Sequence, residues 1–502
     1  SVFFKQLTSL LPEAKHQGNS LVIGKASLYF CPVDQLVAKP ESANLVIVDE
    51  AAGIPVYLLE QLINYYHRIV FSSTEHGYEG AGRGFSINFI KILKHRYPQL
   101  VSMQLHQPIR WRQGDPLEAL VFDSCLLRAE LPKLAIPTVS HKSNQHIINP
   151  LSKHVEFKRY SSAELVNDER LLAEIFAVLV TAHYQTKPSD LQLMLDNSQV
   201  EVACLVLTKS ICSQPNCSLD IQNNNQLNNQ VVAVALVMHE GKGLGVNADD
   251  VEAIKNAKRR LRNHFLPQSL LSHCGDQLAF NFHYLRIMRI AVHPEVQQQG
   301  LGLRLMFELK KMANEQGADF IGASFGVNYS LLQFWLKANF SLVRVGFTKD
   351  KASGEHSALL VCGLTAVTKS KQLFFQKQFY RSFDYLLLDE YQAMNSQLVR
   401  LIFAGNNVLE QQKLSELDIS NVIAYTKGER QYSDCVYSLY VWFKQELLKN
   451  HTAPSKEQSL VLVARLLQKH NNTKVCHAYG LTGKKMLNQH IKNYIISRLS
   501  LS

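Results

Sequence analysis

Short apolar runs alternate with amphipathic helical patterns along the first part of the chain. Apolar runs at 45–48 and 69–72 flank a helical pattern at 58–66. Strands that alternate with helices are typical of βαβ units, in which neighbouring strands run parallel. The pattern therefore predicts an α/β fold for this region, built on a parallel sheet.

A second α/β segment is predicted from periodicity at 155–365. It contains an Asn/Gln-rich stretch at 220–230, which we interpret as a long solvated loop between two strands. The predicted elements are a helix at 163–183 and strands at 202–207 and 231–238.

The remaining regions have a different character. Residues 130–154 show weak periodicity and contain three prolines, which favours a linker. The last part of the chain, 366–502, is helical in pattern and basic. We therefore predict three domains, at 1–129, 155–365 and 366–502, with the linker between the first two.

The most informative local pattern is a strand that leads through two glycines into a helix. Residues 286–292 predict a β-strand, and an amphipathic helix is predicted at about 303–316. Between them, Gln297, Gly300 and Gly302 form the pattern Gln-x-x-Gly-x-Gly. Backbone N–H groups at the start of a helix bind phosphates, and glycine lets a phosphate approach the main chain. The pattern resembles the acetyl-CoA loop of the GNAT acetyltransferases.

An acidic pair follows the apolar run at 45–48. Asp49 and Glu50 stand where P-loop NTPases carry the Walker B acids, of which the Asp holds Mg²⁺ and the Glu orients water. We find no Walker A loop, because Gly24 and Lys25 lack the upstream glycine spacing and a following Ser or Thr. Together with the missing initial Met, this suggests a chain that starts part-way through an NTPase domain.

Composition narrows the class of protein. The chain has 502 residues, of which 46% are hydrophobic and 19% charged, as in globular proteins with several domains. The net charge of +11 suggests a polyanionic partner such as nucleic acid, with a merely basic protein as the alternative. Nine scattered cysteines favour reduced thiols in the cytoplasm, and we assign neither a metal site nor a membrane span.

Five motifs occur in an order that resembles one family. They are Val48 to Ala52, His76 to Phe85, Gln107 to Trp111, Ala182 to Leu191 and Arg289 to Pro294. The series resembles the bacterial tRNA(Met) cytidine acetyltransferases, in which a helicase-like ATPase is fused to a GNAT domain and an RNA-binding tail. The implied fold class is α/β, with a partial P-loop NTPase sheet, a GNAT domain and a mainly helical tail.

The resemblance implies acetyl-CoA as the acetyl donor and assigns its binding residues. Ile290, Ala291 and Val292 match the strand that holds the pantetheine and the thioester. The matching pyrophosphate loop consists of Gln297, Gln298, Gln299, Gly300, Leu301, Gly302 and Leu303. Two positions depart from the family: Ser330 stands for a Glu, and Lys337 for an Arg, which keeps the charge without a bidentate fork.

The resemblance also implies ATP with Mg²⁺ as a second ligand. Arg110 matches a position that contacts ATP, and Asp49 and Glu50 complete the candidate set. Because half of the phosphate site is missing from the sequence, we predict little or no hydrolysis by these 502 residues alone.

Acetyl transfer to a weakly nucleophilic amine needs a proton acceptor, and histidine titrates in the right range. His183 is the first candidate for the base, with Tyr184 beside it as a proton donor, and His293 is the second histidine. For each histidine, the alternative is a structural role in orienting a loop. Many enzymes with this fold rely mainly on positioning.

Two basic clusters are candidates for RNA contact, because cations beside aromatics suit phosphate contact and base stacking. The clusters consist of Lys258, Arg259, Arg260 and Arg262, and of Lys484 and Lys485. A solvated, charged helix face is the alternative for each cluster.

We therefore expect acetyl transfer from acetyl-CoA to the 4-amino group of the wobble cytidine in elongator tRNA(Met), by a cytoplasmic monomer. The main alternative is a non-catalytic RNA-binding or remodelling protein with a degenerate GNAT domain. A lysine acetyltransferase is a third possibility, but it explains neither the glycine-rich block at 79–85 nor the basic tail.

Overall fold

The structure is a computed structural model in which two compact units are distinguished by their internal contacts. The first comprises mainly residues 1–128, and the second mainly 129–182, 189–350 and 355–502. The residues that the structure describes are 2–54, 56–73, 89–109, 111–127, 129–134, 151, 154–182, 188–207, 230–350, 354–405, 408, 413–449 and 456–499.

The first unit contains two small sheets with helices around them. Its strands are Lys15–Gln17 (β1), Ser20–Ile23 (β2), Ala26–Tyr29 (β3), Val46–Val48 (β4) and Ile69–Phe71 (β5). Its helices are Val2–Leu10, Val33–Ala38, Val56–Tyr65, Ile90–Arg96 and Pro116–Ser124.

Strands β4 and β5 are parallel and are connected through the helix Val56–Tyr65. This confirms the predicted βαβ unit. The core beneath it is formed by Val48, Leu59 and Leu62, which are at most 6% exposed. The apolar periodicity predicted the unit because each element has one face against this core.

Strands β1, β2 and β3 form an antiparallel sheet that the sequence did not predict. The runs are only three or four residues long, so they carry little periodic signal. Gly24 and Lys25 form the turn between β2 and β3, in which Ile23 pairs with Ala26 and Gly24 has a φ of +55°. Lys25 therefore lies in a β-hairpin turn and not in a loop that leads from a strand to a helix.

The second unit is built on a seven-stranded sheet in the order β11-β12-β10-β9-β8-β7-β6. Only β9 and β10 are parallel neighbours within it. The strands are Val155–Tyr160 (β6), Val200–Leu207 (β7), Val231–Gly241 (β8), His283–Val292 (β9), Phe320–Gly326 (β10), Ser341–Lys349 (β11) and His356–Gly363 (β12).

Helices cover both faces of this sheet, which explains the continuous apolar runs of the predicted strands β7 and β8. The predicted helix at 163–183 is two helices, because Asp168 interrupts it and its Oδ1 accepts a hydrogen bond from Leu171 N at 2.9 Å. The helices that precede the tail are Ser162–Asn167, Glu169–Ala182, Pro188–Asp196, Ala248–Lys255, Phe265–Cys274, Leu301–Glu315 and Tyr329–Lys337.

The described part of the tail is helical, as the sequence predicted. Thr365 caps the first tail helix by accepting a hydrogen bond from Thr368 N, close to the predicted boundary at 366. Leu305, Leu360 and Phe383 nevertheless belong to one continuous core, so the tail packs onto the sheet domain within the second unit. The tail helices are Ala366–Leu386, Ser396–Ala404, Glu416–Lys427, Tyr432–Lys449, Lys456–Leu462, Asn472–Ala478 and Lys484–Leu499.

The start of the predicted linker at 130–154 is attached to the second unit. The carbonyl oxygen of Lys133 accepts a hydrogen bond from Gln230 Nε2 at 3.1 Å. Leu134 N donates to Glu295 Oε2 at 3.4 Å. This stretch therefore follows the edge of the sheet domain through specific contacts.

Candidate functional site

The site lies where β9 and β10 diverge. Their parallel pairing ends at Ile287 and Ala323, although β9 continues to Val292 and β10 to Gly326. On its other edge, β9 skips Met288 in its register with β8, which is a β-bulge. The bulge bends β9 at the residue where it separates from β10, and a cleft opens between the two strands.

The backbone of β9 directs polar groups into this cleft. His293 N donates a hydrogen bond to Val232 O of β8 at 2.9 Å. Because backbone groups alternate in direction along a strand, the N–H groups of Ile290 and Val292 point to the opposite side, toward the cleft. Gln297 Nε2 donates to Val292 O at 3.0 Å and so ties the following loop to the strand.

A tight loop connects β9 to the helix Leu301–Glu315. Gln298 and Gly300 have φ values of +61° and +81°, and Gly300 is the N-cap residue of the helix. Gly300 has no side chain with which to cap the helix, so the N–H groups of the first turn remain available to a ligand. The sequence placed the start of this helix within two residues.

The two glycines of the loop serve different purposes. A Cβ on Gly300 would meet no atom within 4 Å, so that glycine is required by its positive φ and faces open space. A Cβ on Gly302 would lie 3.1 Å from Phe334 Cε2 and 3.6 Å from Val292 Cγ2. Gly302 therefore lets the helix approach Phe334, whereas the sequence interpretation gave both glycines the same role.

The remaining loop residues lie as the motif predicts, at the start of the helix. Gln297, Gln298 and Gln299 precede Gly300, and Leu301 is 1% exposed in the core. Leu303 is 38% exposed on the outer side of the first turn. Only part of the loop therefore faces solvent, and the backbone is its main polar surface.

Two positions that depart from the family lie on the neighbouring helix Tyr329–Lys337. Lys337 is its exposed last residue, where a cation interacts favourably with the helix dipole. Ser330 is exposed in the first turn and donates to Asn328 Oδ1 at 3.0 Å. Neither side chain has a contact within the described residues that links it to β9.

His293 is buried and occupied by two backbone contacts. His293 is 1% exposed. Its Nε2 atom lies 3.0 Å from Pro132 O, and its Nδ1 atom accepts a hydrogen bond from Glu295 N at 3.3 Å. Burial lowers the pKa of His293, and the two contacts specify the neutral ring with the proton on Nε2. This geometry favours the alternative role for His293, that of a histidine that orients the loop after β9.

Sequence reasoning did not find an ion pair beside the cleft. Arg289 Nη2 lies 2.9 Å from Asp190 Oδ1 and 2.8 Å from Asp190 Oδ2. Both side chains are 19% exposed. Asp190 lies in the first turn of the helix Pro188–Asp196, so the pair joins this helix to β9. The only sequence signal was that both residues belong to the motifs that carry the family resemblance.

A buried carboxylate lies at the far end of the same strands. Glu240 of β8 is fully buried, and its Oε1 lies 3.1 Å from Arg286 Nε of β9. Its Oε2 accepts from Leu266 N at 2.7 Å. Burial raises the pKa of Glu240 to about 7, against the opposing effect of Arg286. This pair stabilises the start of the helix Phe265–Cys274 and takes no part in the cleft.

Three predicted site residues lie outside the residues that the structure describes: His183, Tyr184 and Arg110. The same holds for the glycine-rich block at 79–85. Their predicted roles stay predictions. Helices Glu169–Ala182 and Pro188–Asp196 bracket His183 and Tyr184 in the chain, and Asp190 links the second of these helices to β9.

Asp49 and Glu50 follow β4 at its carboxyl end. Asp49 Oδ1 accepts from Ser72 Oγ at 3.2 Å, and Ser72 follows β5, the parallel neighbour. Ala52 N donates to Ser73 Oγ at 3.1 Å. Asp49 and Glu50 are exposed. A carboxylate beside a hydroxyl group at the ends of parallel strands, with a second acid next in the chain, suits a hydrated Mg²⁺ ion.

The first basic cluster occupies an exposed loop after the helix Ala248–Lys255. Lys258, Arg260 and Arg262 are exposed, and Arg259 forms an ion pair with Asp250. Three of the four predicted cations therefore form no ion pair within the described residues. The loop offers them to a polyanion.

The second basic cluster is at the start of the last helix. Lys484 and Lys485 are its first two residues and are exposed. Cations at a helix N-terminus are repelled by the helix dipole, so their position does not serve the stability of the helix. Their exposure is compatible with RNA contact and with a solvated helix face.

In the part of the chain that the structure describes, every helix is too short or too polar to cross a membrane.

Two family models match the chain, in the order of the two units. Residues 3–128 match the model described as RNA cytidine acetyltransferase NAT10/TcmA, helicase domain. Residues 174–319 and 304–365 match the model described as GNAT acetyltransferase 2. The second match contains the cleft between β9 and β10 and the loop around Gly300.

The chain is also similar to curated proteins named tRNA(Met) cytidine acetyltransferase TmcA. That of Nitrosococcus halophilus is 33% identical over 484 residues, which cover 96% of this chain and 60% of that protein. That of Vibrio cholerae is 33% identical over 492 residues, covering 97% of this chain and 62% of that protein. This chain thus spans about three fifths of the length of these relatives. The chain belongs to the tRNA(Met) cytidine acetyltransferase family, with a helicase-like domain followed by a GNAT domain.

Proposed function

We propose that the protein transfers an acetyl group from acetyl-CoA to the 4-amino group of a cytidine in tRNA(Met), the wobble position of the elongator tRNA being the expected target. The observation that carries the proposal is the cleft between β9 and β10, with N–H groups of Ile290 and Val292 on one wall and the start of a helix at its mouth. Family membership supplies the acceptor, because the relatives are named for tRNA(Met) cytidine.

The residues of the cleft suit acetyl-CoA in three respects. Gly300 faces open space and begins a helix of 15 residues, which suits a pyrophosphate. The cleft wall of β9 offers backbone groups for the amides of the pantetheine arm. Lys337 is an exposed cation on the neighbouring helix. Bound acetyl-CoA supplies the acetyl group as a thioester with a thiolate leaving group.

The chain contributes polarisation and positioning to this reaction. The N–H of Val292 points into the cleft and would stabilise negative charge that develops on a carbonyl oxygen there. A donor of this kind is already oriented by the bulge at Met288 and by its strand, so no reorganisation is needed during the reaction. The contribution of one such donor is typically about 3–4 kcal/mol in the barrier.

The acceptor amine must lose a proton, and we keep His183 as the base and Tyr184 as the proton donor for the leaving thiolate. The Arg289–Asp190 pair supports this assignment, because it joins β9 to the helix that follows His183 in the chain. His293 is not part of the proposed mechanism, since Pro132 and Glu295 occupy both its ring nitrogens.

For the helicase-like domain we propose binding of ATP with Mg²⁺. Asp49 would hold the hydrated ion beside Ser72, and Glu50 would orient water. Arg110 is the proposed contact to the nucleotide. A cytidine must be taken out of its stack before its amine reaches a thioester, at a cost of a few kcal/mol, which gives a nucleotide-driven RNA-remodelling domain a purpose.

For RNA contact we propose the exposed loop with Lys258, Arg260 and Arg262, and the helix start at Lys484 and Lys485. Arg259 is kept in the first cluster, although Asp250 engages it. Substitution of Lys484 and Lys485 by Glu is expected to weaken tRNA binding and to lower its dependence on salt concentration.

The proposed activity is tested with radiolabelled acetyl-CoA. The chain is incubated with tRNA(Met), with tRNA(Met) in which the wobble cytidine is replaced by uridine, and with a basic protein of the histone type. Label is expected only on the cytidine-containing tRNA. Label on the protein, or equal label on both tRNAs, would overturn the proposed acceptor.

A matched pair of variants tests the proposed base. His183→Ala is expected to lower the acetyl-transfer rate with acetyl-CoA affinity unchanged, because it removes a group that acts on the acceptor. His293→Ala is expected to destabilise the loop after β9 and to weaken acetyl-CoA affinity as well. An unchanged rate in His183→Ala would remove this residue from the mechanism.

A further inference from the structure

The first tail helix, Ala366–Leu386, has one buried and one exposed face. Phe375, Phe379 and Phe383 are 2%, 7% and 0% exposed, and the helix packs on β11 and β12. With 3.6 residues per turn, the face opposite to these rings carries positions 374, 377, 381 and 385. We call Phe374, Lys377, Arg381 and Tyr385 the aromatic–basic stripe.

Along this stripe two cations lie between two aromatic rings. Phe374 is 53% and Tyr385 is 76% exposed, so two large rings face solvent at a cost in hydration free energy. Lys377 and Arg381 are exposed between them and form no ion pair within the described residues. By contrast, Lys371 on the same helix lies 2.7 Å from Asp276 Oδ1.

Beside the stripe, Asp384 of the same helix is bonded to the neighbouring helix Tyr432–Lys449. Asp384 accepts hydrogen bonds from Tyr440 Oη and from Lys444 Nζ, the latter at 2.6 Å. Lys444 and Lys469 place their Nζ atoms 5.0 and 5.2 Å from the centroid of the Tyr440 ring. Tyr437 on the same helix is 58% exposed. The charge of Asp384 is thus balanced by Lys444.

We propose that the aromatic–basic stripe binds single-stranded RNA. Bases stack on Phe374 and Tyr385, and the backbone phosphates contact Lys377 and Arg381. This rests on the proposed function, in which the chain acts on a tRNA, and adds a binding surface apart from the two basic clusters.

Three physical arguments favour this occupant. An acidic partner fits two exposed cations that form no ion pair within the described residues. Two exposed rings that flank these cations suit stacked bases and their phosphates, as in sequence-tolerant single-strand binding. A duplex buries the faces of its bases, so it leaves the rings without a stacking partner. The stripe spans about 16 Å along the helix, long enough for several unpaired nucleotides of a tRNA loop or 3′ end.

The test measures the affinity of the full chain for a labelled single-stranded oligoribonucleotide and for a blunt RNA duplex of equal length. Phe374→Ala and Tyr385→Ala are each expected to weaken single-strand binding roughly tenfold. Phe374→Leu and Tyr385→Leu keep apolar area but remove the ring, and they are expected to be as weak as the Ala variants. Duplex affinity should change little in all four.

The cations are tested by salt dependence. Lys377→Glu with Arg381→Glu is expected to lower the slope of log affinity against log salt by about 0.7 for each phosphate that the variant no longer neutralises. Lys369→Glu is the charge-matched control for the single variant Arg381→Glu, since Lys369 is exposed on the same helix but lies about 120° around it from Arg381. That control should bind as the unchanged chain does.

The outcomes separate this proposal from the proposed function. If the Ala and Glu variants bind single-stranded RNA with wild-type affinity, the proposed RNA site is wrong. The exposed rings would then be assigned to a protein partner. Leu variants that bind normally would also overturn it, because base stacking would then be irrelevant. If the variants lose RNA binding while the unchanged chain never acetylates tRNA, the stripe stands and the proposed function fails. Acetyl-CoA affinity should be equal in all variants.

Discussion

The sheets of the two units differ in how completely they are covered. In β8 of the second unit, every residue from Val231 to Met238 is at most 1% exposed. In the first unit, Ile47 of β4 and Val70 of β5 are cross-strand neighbours that are 58% and 49% exposed. Val48, on the other face of β4, is 6% exposed. The β4–β5 sheet of the first unit therefore buries one face, whereas the seven-stranded sheet of the second unit buries both.

Parallel sheets are normally covered on both faces, because each face of a parallel strand is apolar. The sheet of the second unit, although mostly antiparallel, is covered on both faces within that unit, which also holds most of the hydrophobic core. Its candidate acetyl-CoA site is also built wholly from its own elements. The candidate nucleotide site belongs to the first unit alone, so stability and the two ligands can be tested unit by unit.

The largest expected difference concerns the two cores. Ile321→Ala in β10 removes a side chain that is 0% exposed, and it is expected to lower the free energy of unfolding by about 2–5 kcal/mol. Ile47→Ala is the matched change in β4 and should cost less than about 0.5 kcal/mol. Denaturant unfolding of the full chain measures both. Equal losses would show that the exposed face of β4 is covered in solution.

The second prediction separates backbone strain from ligand contact at the two ends of one helix. Gly300 and Gly317 flank the helix Leu301–Glu315 with φ values of +81° and +69°, and neither Cβ would meet an atom within 4 Å. An Ala at either position costs about 1–2 kcal/mol of stability.

Only Gly300→Ala is expected to weaken acetyl-CoA binding, by at least about tenfold, because only that Cβ and backbone face the proposed phosphate site. Isothermal titration calorimetry measures the affinity, and thermal unfolding verifies that both variants are equally strained. A Gly317→Ala variant that loses acetyl-CoA binding to the same degree would show that strain alone explains the effect.

The third prediction concerns the first unit. Asp49→Asn is expected to weaken Mg²⁺-dependent ATP binding severalfold, because it removes the charge that holds the ion. Ser72→Ala removes only the hydroxyl that orients Asp49 and should have a smaller effect in the same direction. Acetyl-CoA affinity serves as the internal control for both variants. A change in that affinity would contradict the assignment of the two ligands to separate units.

The smallest effect concerns the dependence of stability on pH. Burial raises the pKa of Glu240 from 4.5 to about 7 in the folded state. Between these values the folded chain binds more protons than the unfolded chain, so the free energy of unfolding falls as the pH rises from about 4.5 to about 7. Glu240→Gln should remove this fall.

Glu201 provides the opposite case in the same sheet. Its hydrogen bond with His239 lowers its pKa, so it contributes stability that is present above its usual pKa and lost as the pH falls. Glu201→Gln should therefore reduce stability at neutral pH and flatten the loss in acid. Denaturant unfolding from about pH 2 to about pH 8 distinguishes the two variants, because the loss due to Glu201 lies below its usual pKa. If the stability of both variants depended on pH in the same way, the opposite pKa shifts of Glu240 and Glu201 would be contradicted.

Local patterns allowed much of the fold to be predicted. The βαβ unit at β4 and β5 followed from apolar periodicity, and the loop at Gly300 from the spacing of two glycines between a strand and a helix. The interruption of the helix at Asp168 was missed, since the helical periodicity continues across it while the side chain of Asp168 bonds to Leu171 N. Periodicity reports which residues face a core, but it is insensitive to one residue that changes the hydrogen bonding.

Pairings between distant residues were not accessible in the same way. Arg289 and Asp190 are 99 positions apart, and the sequence offered no reason to join them. The close approach of Gly302 to Phe334 could not be predicted from the sequence either. The sequence interpretation therefore gave Gly300 and Gly302 the same role. One of the two contacts of the His293 ring is with the carbonyl oxygen of Pro132, a residue that the sequence analysis placed in a linker.

By itself, the sequence determined the order of many of the strands and helices, the glycine loop and the family, because these depend on neighbouring residues and on the identity of motifs. Tertiary structure alone decided where β9 leaves β10, that both ring nitrogens of His293 are occupied, and how the tail joins the sheet domain. These features depend on strand register and on burial, and both are set by contacts between residues far apart in the chain.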